Sequence, residues 1–79
     1  MKITYDSQAD ALYIGLRDIQ AHDNVDIEEG VSADLDTAGH VVGFEILAAS
    51  KRLTPAELHS LHVENLTNLS GDEAAPVPD

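Results

Sequence analysis

Four histidines, His22, His40, His59 and His62, are the side chains suited to proton transfer near neutral pH. His59 and His62 stand three apart in "LTPAELHSLH", so on a helix they share a face and can chelate a divalent metal. A zinc centre takes three or four ligands. This chain has no cysteine, and no third ligand accompanies the pair at a suitable spacing. Both imidazoles flank the apolar Leu58 and Leu61. The pattern therefore assigns no metal ligand and no cofactor, and casts the two histidines as helix-flanking residues. A small metal-dependent hydrolase using His59, His62 and nearby acids is the enzymatic alternative.

The acids invite the next question. Glu45 stands among apolar neighbours in "HVVGFEIL" and, as a strand residue, faces the side of Val41 and Gly43, away from Val42, Phe44 and Ile46. An isolated buried carboxylate is costly, so Glu45 is expected to be half-exposed or paired, with Arg17 as candidate partner. The stretch "DLDTAG" sets Asp34 and Asp36 before Gly39, but a calcium loop needs a third oxygen ligand and a later bidentate acid. A hairpin with a solvated acidic side is the expectation. Asp6, Asp10, Asp34 and Asp36 are expected at most to gather cations weakly at one sheet end. Ser7, Ser32, Ser50, Ser60 and Ser70 lie in no nucleophile-elbow context. The five glycines are scattered and form no phosphate loop. Lys51 and Arg52 are the sole basic pair, expected to meet surplus carboxylates or the end of a helical turn. No catalytic residue is assigned.

The elements that carry these groups follow from periodicity. Alternation of apolar and polar residues dominates the first two-thirds of the chain. "KITYD" presents Ile3 and Tyr5 to one side, and "ALYIGLR" presents Leu12, Ile14 and Leu16. "NVDIEE" offers Val25 and Ile27, and "VSADLD" offers Val31, Ala33 and Leu35. "HVVGFEIL" adds Val42, Phe44 and Ile46 after a hairpin signal at Gly39. Gly30 marks a bend or bulge. Four or five short strands with polar links describe an antiparallel meander. After Leu47 the period changes. "AASKRL" suits a helical turn, and Thr54, Pro55 and Glu57 form a capping-box start for a helix expected to end near Glu64. The fold class is α+β: a small antiparallel sheet with a short C-terminal helix on one face. Residues 1–66 form one domain, and 67–79 are expected to be a disordered acidic tail.

The motifs "KITYDSQADALYIGL", "EEGVSADLDTAGHVVGFEIL" and "ASKRL", over about residues 1–53, resemble domain-of-unknown-function family 2283, a family of short prokaryotic proteins. The resemblance implies a small mostly-β domain with a helical C-terminal piece and implies no chemistry. Because some relatives are encoded beside small toxin-like proteins, it also implies an antitoxin-like role as the partner of a small basic protein.

Composition bounds the partners. Fifteen acids against four Lys/Arg, Lys2, Arg17, Lys51 and Arg52, give a net charge of −11. Binding to nucleic acid or an anionic membrane is not expected, because it needs cations to neutralise phosphates; a basic protein is the partner such a field attracts. No apolar stretch resembles a signal peptide or a spanning helix, so cytoplasmic residence is the default expectation. A chain of 79 residues buries little, and without disulfides the usual supplement is self-association. The apolar rows exceed what one short helix can cover, so a homodimer is expected, and the function expected is that of a non-enzymatic interaction module that self-associates.

Overall fold

The computed structural model describes residues 1–64, so the expected end of the domain at 66 and the acidic tail lie outside the described residues. Five strands form one antiparallel sheet: β1 (Lys2–Asp6), β2 (Ala11–Gly15), β3 (Asp23–Glu28), β4 (Val31–Leu35) and β5 (Val41–Leu47). A 3₁₀ turn, Ala49–Lys51, and a single helical turn, α1 (Pro55–Leu58), follow. Mostly-β with minor helix is the architecture the alternation predicts.

The strand order is β1-β2-β5-β4-β3. Sequence order is kept in two runs, β1–β2 and β3–β4–β5. Between them, where a single meander is the simplest expectation, residues 16–22 carry the chain to the far edge, and β5 returns to pair with β2. This is a Greek-key connection, and it leaves β1 and β3 as the edges. The crossover starts at a fixed point: the Val42 carbonyl accepts from the N–H groups of both Leu16 (2.9 Å) and Arg17 (3.2 Å). β5 carries one extra residue there, a bulge between the Asp34–Gly43 and Leu35–Val41 pairs.

Register sorts side chains into two faces, because successive strand residues point to opposite sides. One face carries the rows Ile3–Ile14–Phe44–Ala33–Val25 and Tyr5–Leu12–Ile46–Val31. The other carries Thr4–Tyr13–Glu45–Ser32–Asp26 and Lys2–Gly15–Gly43–Asp34–Asn24. The first face is apolar apart from Asp23 and Glu28 on edge strand β3, and the second mainly polar.

The C-terminal piece covers only the β1–β2 half of the apolar face. Thr54 caps α1 by accepting from Glu57 N–H, and Glu57 answers by accepting from Thr54 N–H, the expected capping box. The helix nevertheless stops at Leu58 rather than near Glu64, with His59 as its C-cap. A helix this short has little cooperativity of its own and needs burial to extend. Here Leu58 is half-buried and Leu61 is 65% exposed, so little burial is on offer. Leu53, Leu58 and Leu61 instead border a groove of about 310 Å³ floored by Ile3, Tyr5, Leu12 and Ile14.

Candidate functional site

The polar face holds the densest side-chain arrangement, and it starts from two glycines. Gly15 and Gly43 face each other across β2 and β5, leaving a floor without side chains. Tyr13 lies over that floor. A Cβ on Gly15 would meet its ring at 3.2 Å, and one on Gly43 would overlap its hydroxyl. The Tyr13 hydroxyl then donates to Asp34 Oδ2 at 3.1 Å. Asn24, on edge strand β3, donates through Nδ2 to Asp34 Oδ1 (2.8 Å) and Ser32 Oγ (3.1 Å). The arrangement thus ties three strands, β2, β4 and β3, through one carboxylate, with the Tyr13 ring crossing β5 at Gly43.

Its chemistry is that of a brace. Both oxygens of Asp34 accept a bond from a neighbouring strand. Burial under its neighbours raises the Tyr13 pKa above the ordinary phenol value, helped by the bond to Asp34 and by the nearby Glu45 charge. A phenol held neutral in this way is a poor nucleophile and a poor base. Glu45 sits in register between Tyr13 and Ser32 and is half-buried. Its expected partner lies elsewhere: Arg17 Nη1 binds Asp36 Oδ2 at 3.1 Å.

Asp36 organises the β4–β5 hairpin. Its Oδ1 accepts from Ala38 and His40 N–H, both at 2.9 Å, and Gly39 takes the left-handed conformation (φ 85°) that the sequence asks of it. The N–H of His40 is the main cause of the lowered Asp36 pKa, with Ala38 N–H and Arg17 adding to it. Asp10 plays the same part at the opposite end of the sheet, in a left-handed conformation of its own (φ 51°). It accepts from Ser50 Oγ (2.6 Å), Ser50 N–H (3.0 Å) and Tyr5 Oη (2.7 Å), so the β1–β2 turn is fastened to the 3₁₀ turn forty residues on. Ser50 first, then Tyr5, lowers the Asp10 pKa, and the same contact with Asp10 raises that of Tyr5.

The expected acidic cluster does not form. Asp6 and Asp10 flank the turn where β1 meets β2, whereas Asp34 and Asp36 lie where β4 meets β5, at the other end of the strands. Among the described residues no three His, Asp or Glu side chains converge on a point where an ion would sit. His59 caps α1 and His62 lies beyond it in irregular chain, so the shared helix face that would let them chelate is not built. Arg52 does meet carboxylates as expected, at Glu28 Oε2 (3.1 Å), and it also donates to the Glu29 carbonyl (2.9 Å). No helix among the described residues is long and apolar enough to cross a membrane.

A family model described as a protein of unknown function, DUF2283, matches residues 2–50. The chain belongs to this family. The DUF2283 match spans all five strands and ends at Ser50, the residue that closes on Asp10, so it coincides with the sheet and its fastening. No curated protein and no solved structure matches the chain.

The titrating contacts of this DUF2283 domain set a pH window. Asp10, Asp36 and Glu57 have lowered pKa values in the folded chain. Their contribution to stability is present above the ordinary carboxylate range, about pH 4, and is lost as pH falls through the lowered values. Tyr5 and Tyr13 are raised, so theirs is present below about pH 10 and lost as pH rises through the raised values. Thermal melts in about 1 M salt, where charge repulsion is screened beyond roughly 3 Å, should show a plateau with falling limbs on both sides. A melting temperature that rises below pH 4 would contradict the bonding described for these acids.

Proposed function

We propose that this domain is a non-enzymatic protein-interaction module whose partner is a second copy of itself, the two packing apolar face to apolar face. One observation carries the proposal: the apolar face is not roofed. Among the described residues the buried apolar side chains are Leu12, Ala33, Val42 and Ala49, two of them alanines. Phe44, on the central strand, is only half-buried, and on the uncovered side Val25 and Ile27 are 42% and 56% exposed. Contiguous apolar surface of this kind on a small domain is a contact surface in waiting.

Charge does not oppose the pairing where it would occur. Asp26, Asp34 and Glu45 fall in the rows of the polar face. On the apolar side, Asp23 lies opposite Leu35 at the rim of edge strand β3, and Glu28, opposite Val31, is compensated by Arg52. Two sheets can therefore pack face to face, about 10 Å apart, with Asp26, Asp34 and Glu45 directed outward and Asp23 and Glu28 at the rim.

Light scattering at micromolar concentration tests the reading. A dimer is expected for the natural sequence, and a folded monomer for the double variant Val25→Lys, Ile27→Lys. A natural-sequence monomer would remove the proposal. A second reading, capture of a small basic protein, is supported by the net charge of −11 and the acidic outer face. It predicts salt-sensitive binding of a lysine-rich polypeptide that the Val25–Ile27 variant leaves unchanged.

A further inference from the structure

We infer that the β1 edge is a second self-complementary contact, at which two copies join antiparallel about Thr4 into one continuous ten-stranded sheet. The inference rests on the self-association proposed above but uses a different surface, so the two contacts can be made together.

The two sheet edges differ in sequence. β3, "DNVDIE", carries Asp23, Asp26 and Glu28 and no Lys or Arg. Any antiparallel pairing of β3 with itself gathers like charges, which is how exposed edges are commonly kept from joining. β1, "KITYD", reads the other way. Pairing centred on Thr4 sets Lys2 opposite the partner's Asp6 twice over, Ile3 opposite the partner's Tyr5 twice over, and Thr4 opposite itself. Each is a favourable cross-strand combination: opposite charges, an aromatic with a β-branched residue, and two threonines.

Three further observations fit. Lys2, Thr4 and Asp6 share the polar face and are exposed, while Ile3 and Tyr5 share the apolar face, so the pairing continues both faces across the join. Lys2 has no salt bridge among the described residues. Asp6 Oδ1 accepts from Gln8 and Ala9 N–H, and Oδ2 has no hydrogen bond among the described residues. The join would also bring two of the grooves beside Leu58 and Leu61 together across the twofold axis, because Ile3 and Tyr5 line that groove.

A chain without cysteine allows a direct test. Thr4→Cys puts two sulfurs across the proposed axis, where opposed Cβ atoms lie about 5 Å apart. Under mild oxidation it should form a disulfide dimer about a thousandfold faster than Asp26→Cys on the other edge, the ratio set by millimolar effective concentration against micromolar collision. Adding Lys2→Glu, or separately Asp6→Lys, should abolish that advantage in a chain whose melting curve shows it is still folded. Mixing the two variants should restore it as a mixed disulfide, distinguishable by mass, since the carboxylate introduced by Lys2→Glu then faces the ammonium introduced by Asp6→Lys. Equal rates for Thr4→Cys and Asp26→Cys in a protein that is still a dimer by light scattering would overturn the β1 contact and leave the face contact standing. A mixed disulfide between the Thr4→Cys and Asp26→Cys chains, when the two are combined, would replace it with an open β1–β3 chain. Failure of the two folded charge variants to give their mixed disulfide would overturn the register. A natural-sequence monomer would remove both contacts.

Discussion

Gly43→Ala is expected to cost the domain about 2–3 kcal/mol, the upper part of the range for an overfilled packing site. The added Cβ would overlap the Tyr13 hydroxyl, lie 2.5 Å from its Cζ, and press on the Ile14 carbonyl at 3.1 Å. The ring has two ways out. Swinging off the glycine floor gives up its bond to Asp34 and its packing on Gly15; staying put forces β2 and β5 apart at a paired register position. A domain of this size has only about 3–5 kcal/mol in hand, so about 0–3 kcal/mol would remain.

Alanine in place of glycine also stiffens the unfolded chain, a stabilising effect of about 0.4–1 kcal/mol that the clash normally hides. Removing the ring should expose it. In a Tyr13→Ala background the Gly43→Ala change is expected to be neutral or mildly stabilising. Urea titration of the four chains of this cycle gives the coupling directly, and an equal cost in both backgrounds would show that Tyr13 does not set the need for glycine.

Much of the sheet is legible in the sequence because a half-buried strand has a period of two. Gly39 with Asp36, and Thr54 with Pro55 and Glu57, are legible for a related reason. Each is a local motif whose partners lie within a few residues. The strand order is less so, since the pairing of β5 with β2 joins segments about thirty residues apart and depends on the crossover at residues 16–22. Leu58 and Leu61 suit one face of a longer helix, yet those leucines find the groove without helical geometry beyond Leu58. Alternation places Tyr13 on the outer face but does not disclose its role as a brace. The signal for that role is Gly15 and Gly43 at polar-face positions of neighbouring central strands, where glycine is otherwise a poor choice. Asp10 carries no such signal. Its partner Ser50 is remote, and a polar turn predicts an acid there with or without it.

The second large effect belongs to Val42→Ala, which should cost about 2–3 kcal/mol: roughly 1.6 for two buried methyl groups, and the rest for the space left behind. Val42 is 0% exposed and the largest fully buried side chain, while its carbonyl holds both N–H groups that open the crossover. The side chain is therefore at the one place where core packing and topology meet, and the bulge leaves its neighbours little freedom to close the gap. Ile27→Val provides the contrast. It trims a side chain that is 56% exposed in the isolated domain, so any loss must come through the contact between copies. That loss should shrink on dilution and reach its full size in concentrated protein, because association stabilises by mass action, whereas the Val42 loss should be the same at every protein concentration. Melting curves across a concentration series separate the two, and a Val42→Ala deficit that vanishes on dilution would mean that the domain takes its core from its partner rather than from itself.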